Sequence, residues 1–351
     1  VMPLPGTGVA PAAGNLYNEL TAATRRAFVP RLFIQIYFGS PTLFYMMGNA
    51  QRAAGGLNQI TVPMQGQSMV QGQFTNYGGG FNSPVITPGI QNGQWNLAYW
   101  VVPVPLPFGE QVLQATDREI SILKARMNDV YAVTRQNMAR LLYTDNSSSP
   151  TYPNSFRDAF DNGTNFPTYG GISRNASGNS AFKGQYINGA NLTGSGTVTV
   201  SVNGFDRVAM ATTLALITDS AGGEAPTFVV MSPGDYATLN QDFIGNEQQF
   251  VNPGGSYTMD TGVRSSFPNL NVSGIPIFAD HFCPAGNAFA VNIKYTAMYL
   301  SEDAAFDFSG FYSLVPLGQM AQQGVVVVGY NAVTAKSVSG AWVYGIGGAA
   351  F

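Results

Sequence analysis

Between residues 58 and 108 the apolar positions recur every second residue. Ile60, Val62 and Met64 form one such run, and Trp95, Leu97, Tyr99 and Val101 form another with the same spacing. A period of two puts alternate side chains on one face, so both runs are predicted as strands. Between them lies a Gly-, Gln- and Asn-rich stretch, 66–94, that includes Gly78-Gly79-Gly80. So long a connection is out of place inside a compact domain. The segment 58–108 is therefore expected to be an extended hairpin reaching outward to a neighbouring molecule.

Helical spacing follows. Ile120, Leu123, Met127, Val130, Tyr131, Met138, Leu141 and Leu142 fall on one arc, with Arg118, Asp129, Gln136 and Arg140 roughly opposite. Ile122 and Val133 interrupt the polar side, so part of it is expected to be covered. Thr116 and Glu119 have the spacing of a capping box, and neither Gly nor Pro occurs from 110 to 149. The pattern predicts a helix over 117–142, roughly 39 Å long at the standard rise. That exceeds the ordinary globular helix.

The remaining elements are shorter. Residues 1–15 read as an extended Pro-, Gly- and Ala-rich arm, followed by a short helix from Leu16 to Phe28. The stretch 145–196 reads as loops with short strands. A strand is predicted at Thr197–Val202, a helix at Phe205–Ile217 and a strand at Thr227–Met231. Ser232-Pro233 opens another helix, Ser as its cap and Pro in its first turn. Strands are predicted around Ile275–Ala279, Phe289–Ile293, Val325–Val328 and Ala341–Tyr344. Helices and strands do not alternate regularly and no repeat is evident, so the fold class is α+β.

Composition sharpens the picture. The 351 residues are 45% hydrophobic and only 10% charged, with 41 glycines, against about a quarter charged in an ordinary soluble domain. A surface of amides and hydroxyls suits burial against other protein, because a buried charge is costly and an amide finds a partner. Net charge is −3, distributed as +3 over 1–109, 0 over 110–145 and −6 over 146–351. Arg25, Arg26, Arg31 and Arg52 are the only cations of the first third, too few for the basic stripe of a nucleic-acid reader. Cys283 is the single cysteine, so no intrachain disulfide forms. No secretory leader and no membrane-spanning apolar run are expected.

Reactive groups do not converge. His281, the sole histidine, sits near Cys283; on a strand the two would share a face, but no second His or Cys-x-x-Cys completes a zinc site. Gly345-Ile346-Gly347-Gly348-Ala349-Ala350 has dinucleotide-type spacing, yet only Phe351 follows it, leaving no helix to receive a pyrophosphate. Glu302 and Asp303 would point to opposite faces of a strand, and the Trp95–Trp100 aromatics have no basic residues between them for nucleic-acid stacking. No enzyme, cofactor or metal is expected.

Several short passages, in this order, resemble the pattern of tailed-phage major capsid proteins, the Hong Kong ninety-seven-like fold. They are Ile60-Thr-Val-Pro63, Phe108-Gly-Glu-Gln-Val-Leu-Gln-Ala115, Gly170-Gly-Ile172, Phe228-Val-Val-Met-Ser-Pro233, and Gly274-Ile-Pro-Ile277 with Pro284-Ala-Gly286. The resemblance covers roughly 16–345. It implies an N-terminal arm over 1–57, an extended hairpin loop over 58–108 and a peripheral domain over 109–200 with a spine helix at 117–142. An axial domain over 201–294 and return strands over 295–351 complete the plan.

The implied function is a subunit that assembles as hexamers and pentamers into an icosahedral shell. It would be made in the host cytoplasm and found in the virion, enclosing double-stranded DNA held weakly and without sequence preference. Portal, scaffold or decoration proteins are implied partners, and no membrane. Ile60, Val62, Trp95, Leu97, Tyr99 and Trp100 are the candidate inter-subunit contacts. Some members of that family join a hairpin-loop lysine to a neighbour's asparagine, but 58–108 contains no lysine, so shells without covalent crosslinks are expected. An encapsulin-type compartment is the alternative within the class, and a secreted adhesive or carbohydrate-binding β-rich protein is the alternative outside it.

Overall fold

The computed structural model describes residues 40–53, 58–65, 90–107, 116–145, 149, 151–176, 179, 182–188, 207–246 and 270–346. The helix expected at 16–28, the strand at 197–202 and the glycine motif at 345–350, beyond its second residue, lie outside them. The first element is a helix, α1 (Pro41–Gly48), whose cap Ser40 accepts the Leu43 amide proton on its hydroxyl. Strands β1 (Gln51–Ala53), β2 (Gln59–Gln65), β3 (Ile90–Asn96) and β4 (Ala98–Pro107) follow, then the long helix α2 (Thr116–Leu141). Next come α3 (Phe156–Phe160), β5 (Thr168–Tyr169), β6 (Ile172–Ser173), β7 (Gln185–Asn188), α4 (Arg207–Ser220), β8 (Phe228–Met231) and α5 (Pro233–Asn246). The chain ends in strands β9 (Leu270–Val272), β10 (Ile275–Ala279), β11 (Asn287–Val291), β12 (Thr296–Ser301), β13 (Asp307–Phe308), β14 (Tyr312–Ser313), β15 (Ala321–Thr334) and β16 (Ala341–Tyr344).

Two six-stranded sheets organise these elements. In one, β15 pairs antiparallel with β4 on one side and with β12, β13 and β14 on the other, and β1 joins β12 in parallel. The other runs β7-β16-β11-β8-β10-β9. Two neighbouring connections cross between the sheets, Asn292–Tyr295 after β11 and Ala335–Gly340 after β15, tied by the Ala335 amide donating to the Tyr295 carbonyl.

The second sheet separates two cores. In β8 all four side chains are buried, because alternate residues serve opposite faces. Val229 and Met231 pack with Met210, Leu214 and Ile217 of α4 and Leu239 of α5. Phe228 and Val230 pack with α1, α3 and the end of α2. The long helix contributes Met127, Val130, Met138 and Ala139, followed by Leu142, to that larger core, while Asp129, Gln136 and Arg140 face out as the periodicity requires. Thr134, expected on neither arc, is also buried. The Thr116–Glu119 capping pair falls on side chains outside the described set.

Three expectations need correction. The run Trp95–Val101 is not one strand: Leu97 interrupts it, and the burial phase inverts from Trp95 inward to Ala98 inward, leaving Tyr99 and Val101 outside. The hairpin proper is β2–β3, in register from Gln59 opposite Asn96 to Gln65 opposite Ile90. Residues 98–107, expected in the hairpin, are instead a strand of the first sheet, held by ten register positions on β15. The third concerns His281 and Cys283: residues 280–286 form a turn, so the pair shares no strand face. His281 is exposed and Cys283 buried.

Candidate functional site

The hairpin is anchored at its root. Trp95 packs edge-on against Tyr169 with ring centroids 5.2 Å apart, and the Gln94 amide donates to the Gly170 carbonyl at 2.9 Å. Beneath Tyr169 lies Arg174, fully buried and 4.8 Å from the ring centroid. Its guanidinium donates to the carbonyls of Ala159, Phe166 and Phe182, and burial lowers its pKa while nearby Tyr169, Asp161 and Asp158 oppose the shift. Asp161 organises the adjoining loop, accepting amide protons from Gly163, Asn165 and Phe166. The β5–β6 turn at Gly170-Gly171, both with positive φ, presents Tyr169 inward. Of the six expected contact residues, Ile60, Trp95 and Leu97 are therefore buried inside the chain. Val62 and Trp100 are partly buried against the same core, and Tyr99 is exposed.

A second surface lies on the outer face of the first sheet. Directly opposed residues share a face, which gives rows Val101–Val327–Asp307, Pro103–Val325 and Pro105–Gln323–Tyr312. The opposite face carries Val104, Leu106, Val326 and Val328 and is buried. Tyr99, Val101 and Tyr312 are about half exposed, as is Val315 in the turn between β14 and β15, and Met320 at the end of that turn is 80% exposed. Neither 53–109 nor 308–335 contains a single Asp, Glu, Lys, Arg or His.

Two polar clusters hold the frame. Asp280, wholly buried, receives the hydroxyl of Ser40 and, at 3.0 Å, that of Tyr143, which also lies 2.7 Å from the Thr42 hydroxyl. With one proton, Tyr143 donates to the carboxylate and accepts from Thr42. Burial, then the Asp280 charge, pushes the Tyr143 pKa well up, and the same causes raise that of the Cys283 thiol. Glu224, after α4, binds Lys294 at 2.7 Å, Tyr295 at 2.8 Å and Lys336 at 3.1 Å, so it clasps both crossing connections. These hydrogen bonds lower its pKa to about 2. Lys336 also donates to the Ala221 carbonyl at the end of α4.

Both clusters tie together segments far apart in the chain. Among the described residues no three His, Cys, Asp or Glu side chains are placed to hold a metal ion, and no described helix is long and apolar enough to cross a membrane. Sequence reasoning missed Asp280 and Tyr143, whose partners lie far off in the chain, and Arg174, whose three carbonyl partners lie 8 to 15 residues away in a stretch that carries no motif for them. Asp161 had a legible signal in Asp161-Asn162-Gly163, a turn sequence in which the carboxylate folds back on following amides.

No protein-family model matches the chain, and no curated protein matches it in sequence. Solved structures do. A subunit of the cyanophage A-1(L) capsid is similar over 88% of this chain and 93% of its own, with a TM-score of 0.62 at 15% identity. The capsid of a native GTA particle matches over 85% and 89%, at 0.52 and 8%. The procapsid of satellite phage P4, a structure that includes a size determination protein, matches over 90% of each chain, at 0.51 and 11%. This chain and those subunits are thus alike in fold along most of their length, at 8% to 15% sequence identity.

Proposed function

We propose that this chain is the major capsid protein of a tailed phage, a subunit that multiplies itself into a closed icosahedral shell around double-stranded DNA. The observation that carries the reading is the capsid-subunit fold running through 88% of the chain. Its charge-poor surface and tightly rooted hairpin support it. In this reading α2 is the spine helix, the second sheet with α4 and α5 is the core of the axial domain, and β12–β15 return to the peripheral domain. Of residues 1–57, expected as an arm, α1 and β1 instead pack into the core and the first sheet, so the arm is confined to the segment before Ser40, and the hairpin reaches a neighbour. Hexamers and pentamers form in the host cytoplasm. DNA is held weakly and with a shallow salt dependence, since so few cations are there to neutralise phosphates.

The test is negative-stain microscopy of the purified protein beside a variant with a shortened hairpin. Met64 and Gln91 are directly opposed, on the parity whose main chain faces the partner strand, so an Asn-Gly turn in place of 65–90 closes the hairpin in phase. The intact protein is expected to form shells, and the variant to keep its circular dichroism but assemble poorly. An intact protein that stays monomeric at high concentration overturns the reading.

A further inference from the structure

The layer between α2 and the first sheet holds three buried polar atoms with no protein partner: the hydroxyl of Thr134, the indole N–H of Trp100 and the hydroxyl of Tyr330. Several comparable groups elsewhere in the chain are bonded. Thr144, Thr218 and Thr238 each donate back to the carbonyl four residues earlier, the usual recourse of a helical threonine; Thr134 does not. The buried hydroxyls of Tyr143 and Tyr169 both have partners, and Trp342 donates its indole N–H to Asn287. A buried polar atom left unbonded costs free energy, so three in one layer call for a ligand.

Register brings the three together. Trp100 is opposite Val328, and Tyr330 is opposite Ala98. They are therefore diagonal neighbours on the inward face of β4 and β15, within reach of each other for side chains of that size. Ala98, which neighbours both on that face, adds only a methyl group. Above them runs α2. Near one end Arg126 holds the Pro105 carbonyl at 2.6 Å. At the other the Leu142 carbonyl accepts from Phe156, while the Asn154 amide donates to Asn331. Pro105 is opposite Gln323, and residues 126–142 of the helix and 323–331 of β15 each cover about 25 Å. Helix and strand thus run side by side. Thr134, wholly buried, is the midpoint of that run and falls over Val327, one residue from Val328 and its partner Trp100.

We propose that Thr134, Trp100 and Tyr330 form a binding site for an internal water molecule shared by α2 and the first sheet. The donor set selects the ligand. Trp100 can only donate, and each hydroxyl can donate or accept. Burial pushes the Tyr330 pKa up, so its hydroxyl keeps its proton. None of the three is charged, so they offer nothing to offset the desolvation of an ion, and an apolar guest would leave all three unbonded. A water that accepts from Trp100 and bonds to both hydroxyls makes the three bonds usual for a buried water. The helix is then held directly near both ends and through water at its middle. A water bridge is enthalpically almost as good as a direct bond and re-forms after a displacement. The midsection of α2 can therefore shift against the sheet without breaking a protein–protein bond at this point.

The site belongs to the fold of one subunit, so the full-length protein serves whether or not it assembles. Urea unfolding compares wild type with T134V, Y330F and T134V/Y330F, substitutions that remove a hydroxyl and change shape little. With water bound, each single variant takes a bond from the water and should lower the folded-to-unfolded ratio about tenfold. The double variant should lose clearly less than the two losses multiplied, because one shared water is lost only once. A dry layer predicts the reverse: each variant removes a polar atom that nothing satisfies and is at least as stable as wild type. That outcome overturns the site, and so do losses that multiply independently in the double variant. A structure of the wild-type protein at a resolution that shows ordered water gives the second measurement. Density within hydrogen-bonding distance of Trp100 Nε1 and Thr134 Oγ1 is expected; its absence overturns the proposal even where a variant fails to fold.

Discussion

The indole of Trp95 lies so close against Gly170 that a Cβ on the glycine would fall 2.5 Å from a ring carbon. Gly170 also has φ +58°, a region that disfavours side chains. Gly170→Ala is therefore expected to lose about 2–4 kcal/mol, combining backbone strain with overpacking. Gly171 supplies the control. It has φ +78°, but a methyl group there would meet no atom within 4 Å, so its alanine variant should lose only about 1 kcal/mol. Urea unfolding midpoints measure both, and equal losses would disprove the special role of the Trp95 contact.

Asp158 predicts a pH dependence. It caps α3 with Ser155, but its second oxygen is buried without a hydrogen-bond partner, and burial raises its pKa from 3.8 to about 6. The folded state thus prefers the protonated carboxyl. Its favourable contribution is complete below about pH 4 and is lost as pH rises through 6. Asp158→Asn mimics the neutral form and should match wild type below pH 4. Above pH 6 it should be more stable by up to about 3 kcal/mol, at 1.36 kcal/mol per pKa unit. Denaturation of both proteins from pH 3.5 to 7.5, read as a difference, checks the sign.

Glu224 should behave the opposite way. Its folded pKa of about 2 lies below the unfolded value, so the clasp stabilises above about pH 4.5 and fades as pH falls toward 2. Glu224→Gln should melt earlier than wild type at pH 7, with the gap closing toward pH 2 and narrowing in 1 M salt, since the pair is solvent-exposed. A gap indifferent to both pH and salt would show that the clasp acts by packing alone.

Shells formed as proposed should carry no covalent links between subunits. The four lysines are Lys124, Lys183, Lys294 and Lys336, none in the hairpin, and the last two are engaged by Glu224. Lone Cys283 is buried. Particles boiled in detergent with reductant should run as one band near 37.3 kDa; a surviving ladder of larger species contradicts this.

Local patterns are legible in the sequence where one element suffices to write them. The long helix runs 116–141 against an expectation of 117–142, and Ala341–Tyr344 appears as expected. Ser232-Pro233 begins α5 as anticipated, with Ser232 accepting from the Asp235 amide. The same Ser-Pro signal at Ser40-Pro41 marks α1, which no expectation covered because only eight residues follow the cap and they are apolar nearly all round. Only Val325–Val328 betrays β15, which is 14 residues long, because its flanks are Gln, Gly, Asn and Ala whose burial comes from neighbouring strands. The inversion at Leu97 is invisible locally, since either phase gives an acceptable pattern. Among the expected contact residues Tyr99 does face outward, whereas Ile60, Trp95 and Leu97 turn inward, because apolar alternation does not say which molecule buries it. Arg174 runs against every burial expectation for arginine; three main-chain carbonyls within 15 residues make its site.

β15 has a mechanical consequence. Its 14 residues span roughly 45 Å, and along that length it is bonded to four other strands. A pull along the strand axis loads the ladder in shear, so many hydrogen bonds must yield together; a pull across it unzips them one at a time. The Met320 end and the Ala335 crossing are thus the two ends of a stiff member. Tension entering at the exposed turn is delivered nearly undiminished to the place where Glu224 grips both connections between the sheets. The subunit is rigid lengthwise and gives way, if anywhere, at that grip.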